Sequence, residues 1–173
     1  MTKTVEDILT EAKEYGESAN IVQNSGHIRQ AVDLKLKEIE LLESARRQFT
    51  EDGRLPAHIG EAYATISRIL YRAGNNIEGL DSDYYLYEAR KTFSSLFDNN
   101  NSKFPKYAYY SYSFVLYRLA QNTKDFTEKR MLLTEHVKVM EHAVEKNHYR
   151  QHYEKWLRKV KEELASMEQQ KAL

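Results

Sequence analysis

Apolar positions along this chain recur at intervals of three and four almost from end to end, with charged residues filling the positions between them. That is the period of an amphipathic α-helix, whereas a half-buried strand would alternate. From Val32 to Phe49, the residues Val32, Leu36, Ile39, Leu42 and Phe49 fall on one stripe, and Glu38, Glu40, Glu43, Arg46 and Arg47 lie largely off it. The pattern breaks at Asn24-Ser25-Gly26, Thr50-Glu51-Asp52-Gly53, Gly74-Asn75-Asn76, Asp98-Asn99-Asn100-Asn101-Ser102, Asn122-Thr123-Lys124-Asp125 and Asn147. These runs are rich in residues that cap or end helices. Pro56 and Pro105 each stand just ahead of a new apolar run, where a missing amide is least felt. The spacing predicts seven helices, at about 4–24, 27–49, 57–73, 83–97, 105–121, 126–146 and 148–168, and an all-α fold.

One phrase occurs twice. Ala62-Tyr63-x-x-x-Ser67-x-x-Leu70-Tyr71-Arg72 returns 46 residues later as Ala108-Tyr109-x-x-x-Ser113-x-x-Leu116-Tyr117-Arg118. A fainter copy, Ala12-x-x-Tyr15-x-x-x-Ala19-x-x-Val22, precedes the first by 48. Self-similarity at such a period points to stacked helical units, since one unit cannot bury its apolar face alone. Position by position the phrase resembles helix A of the tetratricopeptide repeat, and Ala89 and Phe93 match the Ala and aromatic of that family's helix B. The period is longer than the family's, and in the middle unit the excess is located at Ile77-Glu78-Gly79-Leu80-Asp81-Ser82-Asp83. The resemblance covers about residues 8–146. It implies a right-handed superhelix of antiparallel hairpins at about 4–49, 57–97 and 105–146 with a capping helix at 148–168, all in one domain, 1–173.

It also implies where a ligand would lie. Helix A of each unit would line the concave surface, placing Gly16, Ala64 and Tyr110 at one equivalent ligand-facing position and Asn20, Arg68 and Phe114 at the next. Beyond them come Gln23 and Asn24, Tyr71 and Arg72, and Tyr117 and Arg118. The candidate partner-binding set is therefore Asn20, Asn24, Arg68, Tyr71, Arg72, Tyr110, Phe114, Tyr117 and Arg118. Tyrosine offers a large rigid face with a hydroxyl, and arginine a planar fork for carboxylates, so the set suits a peptide. Tyr109 and Tyr112 are read instead as packing residues.

Composition narrows the partner. The 26 basic and 26 acidic side chains cancel, so no global field draws nucleic acid or an anionic membrane. Cysteine is absent, which removes disulfides, thiolate metal sites and cysteine nucleophiles together. The chain opens into no apolar stretch, and we expect neither leader nor membrane span and a cytoplasmic location. The last helix is locally basic, with Lys146, Arg150, Lys155, Arg158, Lys159 and Lys161 around Glu154 and an apolar stripe of Tyr153, Trp156, Val160, Leu164 and Met167. It reads as the cap, with RNA or an acidic partner as the alternative. His148 and His152 are spaced to share a metal but have no evident third ligand. Arg130 and His136 echo the Arg-x4–6-His motif of helical HEPN ribonucleases, yet on one helix they stand roughly 120° apart. No cofactor, metal or catalytic constellation is expected. The sequence predicts a non-catalytic adaptor for a peptide or protein segment, with a homo-oligomeric structural protein as the other class.

Overall fold

The structure is a computed structural model that describes residues 3–74, 77–100, 104–146, 148 and 150–171, and within them every regular element is an α-helix. Seven are present: α1 (Val5–Asn24), α2 (Ile28–Gln48), α3 (Arg54–Arg72), α4 (Ser82–Asn100), α5 (Ala108–Asn122), α6 (Phe126–Glu145) and α7 (Arg150–Lys171). The expected breaks at Asn75, Asn76, Asn101, Ser102 and Asn147 lie outside the described residues.

Local chemistry explains the ends. Thr4 caps α1 reciprocally with Asp7: the Asp7 amide donates to Thr4 Oγ1 at 3.2 Å, and the Thr4 amide donates to the Asp7 carboxylate at 2.9 Å. Gly26 closes the same helix with φ of +83°, a conformation that a side chain would strain. Asp125 caps α6 by accepting from the Glu128 amide at 2.7 Å. Two boundaries differ from the expected ones. Helix α3 starts at Arg54, ahead of Pro56, because Asp52 accepts from the Arg54 amide and so nucleates the first turn early; Pro56 then sits inside that turn, where no amide is required. Helix α5 starts at Ala108, because Lys106 and Tyr107 form a turn after Pro105.

The chain divides into two compact units, 1–105 and 106–173. In the first, α1 packs on α2, α2 on α3 and α3 on α4, with a thinner contact between α1 and α3. Its core joins Ile8 and Ala12 of α1, Val32, Ile39 and Leu42 of α2, and Leu55, Ile59, Ile66 and Leu70 of α3. In the second, α5 packs on α6 and α6 on α7.

Helix α2 departs from its expected register. Leu36 is 37% exposed, while Lys35 and Glu38 are each only 7% exposed. The buried stripe runs Ala31, Lys35, Glu38, Leu42, Ala45, with Val32 and Ile39 beside it. Because α2 is flanked by both α1 and α3, its covered arc is wider than one apolar stripe, and two charged residues fall within it.

Close approach of α3 and α4 depends on Gly60. A Cβ there would lie 2.7–2.9 Å from three ring atoms of Phe93. That ring is fully buried and is backed by Phe104, with centroids 6.3 Å apart. Gly60→Ala is therefore expected to destabilise the first unit by about 1–3 kcal/mol despite the better helix propensity of alanine. Chemical denaturation checks this, and Phe93→Leu in the Gly60→Ala background should recover part of the loss by clearing the overlap.

Candidate binding groove

A mid-helix glycine, about 1 kcal/mol less favourable than alanine, needs a local reason. At Gly16 the reason is Lys35. A methyl placed there would stand 3.0 Å from Lys35 Nζ and 3.3 Å from Glu38 Oε2. The ammonium and carboxylate occupy the space that the missing side chain leaves, joined at 2.7 Å one helical turn apart on α2.

Around this pair lies a groove of about 550 Å³ between α1, α2 and α3. Gly16, Lys13, Glu17 and Asn20 face it from α1, Lys35 and Glu38 from α2, and His58, Glu61, Ala62 and Thr65 from α3. Burial lifts the Glu38 carboxyl above the ordinary carboxylate range against the pull of Lys35, and the field of Glu61 adds to the lift. Burial also lowers the His58 imidazole, helped by the charges of Arg54 and Lys35. The groove therefore combines an imidazole biased toward its neutral form, a buried ion pair, further charges at Lys13, Glu17 and Glu61, and uncharged polar groups.

The positions that the repeat register singles out are distributed as follows. Asn20 is exposed on the groove's α1 wall. Arg68 lies a turn beyond the groove lining, with Nη2 3.5 Å from the Glu61 carboxylate and Nε donating to the Ala64 carbonyl. Asn24, Tyr71 and Arg72 stand on the exposed ends of α1 and α3 and do not line the groove. Ala64 is buried.

The other aromatic members, Tyr110, Phe114 and Tyr117, belong to the second unit and lie beside residues of α7. Tyr110 and Phe114 line a cavity of about 10 Å³ together with Ser113, Met140, His152, Tyr153 and Trp156. The Tyr117 ring meets Trp156 edge-on, with centroids 5.4 Å apart, and Lys159 Nζ lies 5.4 Å from the centre of the same ring. Arg118 is half-buried on α5. Among the described residues, ion pairs between α6 and α7 include Lys129 with Glu163 at 2.8 Å, Arg130 with Glu168 at 3.1 Å, and Lys161 with Glu141 at 2.7 Å. Of the basic residues seen in the last helix, Lys161 is thus matched by an acid of α6; the Arg150 side chain lies outside the described residues. Tyr109 and Tyr112 are core residues, each 1% exposed, bonded through their hydroxyls to His142 Nδ1 and to the Glu135 carboxylate. Burial pushes the Tyr109 hydroxyl up to about 12.

Arg130 and His136 do not converge. Arg130 is exposed and paired with Glu168, whereas His136 is fully buried, stacked 6.1 Å from Trp156, with Nδ1–H donating to the Ser113 carbonyl at 2.9 Å. The other ring nitrogen, Nε2, is buried with no hydrogen-bond partner among the described residues, as is Ser113 Oγ. His148 and His152 rest against different rings, His148 on Tyr109 and His152 on Tyr110 and Trp156. Among the described residues no three His, Asp or Glu side chains are grouped to hold a metal ion. Nor is any described helix long and apolar enough to cross a membrane.

No family model and no curated protein matches the chain. Among solved structures it is similar to Nro1, a hypoxic regulator of sterol synthesis described as a nuclear import adaptor, with a TM-score of 0.51 and 17% identity. The match covers 80% of this chain and 44% of that one, so the chain spans less than half the length of that structure. The likeness is one of fold.

The repeat spacing singles out Gly16 and Asn20 but not Lys35, Glu38, His58 or Glu61. The signal for the first pair was present in the spacing Ala31, Lys35, Glu38, Leu42, Ala45, whose steps of four and three place both charges on a core-facing line.

The buried histidine makes the second unit acid-sensitive. Desolvation lowers His136 to about 4 from its ordinary 6.5, against the opposing bond to Ser113 and the field of Glu163. Between those values the unfolded chain binds a proton that the folded one refuses, so stability present above pH 6.5 is lost as the pH falls toward 4. We expect a loss of about 2–3 kcal/mol between pH 7 and pH 4.5, read from urea unfolding followed by Trp156 emission. In His136→Gln, which can still donate to Ser113 but has no titrating ring, the loss should be smaller; equal losses would refute the assignment.

Proposed function

We propose that this chain is a non-catalytic, tetratricopeptide-like adaptor that holds a peptide or protein segment in the groove between α1, α2 and α3. The observation that carries this reading is the groove itself, about 550 Å³ in volume and lined by a buried ion pair, with the exposed amide of Asn20 on its wall. Its size suits several side chains of an extended segment, and its mixture of apolar floor and convergent polar groups is typical of recognition sites. Leu9, Ala12 and Ala62 supply the apolar part. The description of Nro1 as an import adaptor agrees with a protein-binding role.

The register of the repeat supports the same location. Gly16 and Asn20 occupy the two positions that face ligand in the family the sequence resembles, and both lie on this groove. In the second unit the equivalent positions, Tyr110 and Phe114, line a cavity of about 10 Å³ with residues of α6 and α7, and Tyr110 stays 50% exposed.

Affinity purification from the native host tests the proposal. Thr10→Arg combined with Asn20→Arg, two substitutions at exposed positions on the groove wall, should lower recovery of the specific partner by about tenfold or more, the effect expected of an interface hot spot. Tyr110→Ala should leave recovery unchanged. Equal recovery with the double arginine variant, after circular dichroism has shown the helices intact, would place the partner elsewhere.

A further inference from the structure

The Lys35–Glu38 pair has more hydrogen-bonding capacity than its internal contact uses. An ammonium offers three donors and a carboxylate several acceptor sites. Among the described residues the pair shows one bond, from Lys35 Nζ to Glu38 Oε2. Both side chains line the groove, and the absence of a side chain at Gly16 leaves room for their charged ends there. A buried ion pair generally holds helices together no better than apolar residues of equal volume, so packing alone gives no reason for it.

The pair is also neutral as a unit. A carboxylate drawn to Lys35 would meet Glu38 beside it and Glu17 and Glu61 on the same groove; an ammonium drawn to Glu38 would meet Lys35 beside it and Lys13 on the same groove. Either would carry a net charge into a partly dehydrated site, which is unfavourable unless matched. A carboxamide carries none. Its carbonyl oxygen accepts from the ammonium, its N–H donates to the carboxylate, and one planar group engages a donor and an acceptor that already lie side by side. Asn20 and Thr65, uncharged donors and acceptors on the same groove, suit a neutral polar ligand.

We propose that Lys35 and Glu38 form a carboxamide-recognition element, seating an amide of the bound segment with its C=O toward Lys35 and its N–H toward Glu38. This deepens the groove reading and rests on it. The amide comes from an asparagine or glutamine side chain or from the segment's own backbone, and the two sources are separable.

The probe is a capped random peptide library presented to the purified full chain, followed by singly backbone-N-methylated versions of the peptides that bind. A side-chain source enriches Asn or Gln at one position. A backbone source shows no such enrichment, but one N-methylation weakens binding by about tenfold or more, the worth of a hydrogen bond to a charged group. In either case Lys35→Met combined with Glu38→Leu, which keeps an apolar pair of similar volume, lowers affinity by a similar factor while helicity and thermal midpoint show that the chain is folded. Gly16→Ala, which favours the helix but crowds Lys35, weakens binding in the same direction. Selection of acidic or of basic residues at that position, or binding unchanged in the double variant, overturns the carboxamide element while leaving the groove reading in place. Failure of any peptide to bind the wild-type chain overturns both.

Discussion

Close approach of neighbouring helices is the constraint on which the rest of this structure depends. It is met by small side chains at the crossings: Ala12, Ala31, Ala45, Ala57, Ala62, Ala64 and Ala89 are all buried in the first unit, and Gly60 admits the Phe93 ring to the surface of α3. Dispersion falls away within an ångström of added separation, so these positions decide whether the larger residues around them make contact. Ile59, Ile66 and Leu70 reach into the core formed with α2 only because the backbones are already near. The groove is the same geometry with one element omitted. Where Gly16 lacks a side chain, the space is taken by two charged groups in place of an apolar one.

Among the described residues, helix α2 is where the first unit buries charge. It has neighbours on two sides, and most of its covered arc is filled by Ala31, Val32, Ile39, Leu42 and Ala45. At the centre of that arc stand Lys35 and Glu38, largely removed from water and bonded to each other. The desolvation felt by Glu38 exceeds what Lys35 returns, so the net pull on its carboxyl is toward the protonated state. The second unit resolves its polar burial differently. Tyr109 and Tyr112 each find a partner on α6, while His136 satisfies one ring nitrogen and leaves the other enclosed.

The fold was legible because helix period, capping residues and glycine breaks all agree. Thr4 and Asp7 mark the start of α1, Asp125 marks the start of α6, and Gly26 and Gly74 adopt the positive φ that helix ends require. Register on α2 was not legible. An apolar stripe locates the centre of a buried face when one partner covers it, and here two partners widen the face until Lys35 and Glu38 fall inside and Leu36 falls outside. Gly16 and Asn20 could be found from repeat spacing alone. The same spacing selected Tyr110, Phe114 and Tyr117 but says nothing of what lies against them, and their contacts with His152, Tyr153 and Trp156 come from a helix outside the repeated phrase.

The long link between α3 and α4 has one more implication. Ile77 and Leu80 pack against the core of the first unit, and Glu78 gives its carbonyl to Arg29 at the start of α2. What reads as an insertion into a shorter repeat has become part of the surface that the helices fold around. Trimming it would uncover the apolar atoms beneath Ile77 and Leu80 and free the Arg29 guanidinium. The link therefore acts as a lid on the core of the first unit, and its length could be cut only if the helices beneath it were rebuilt.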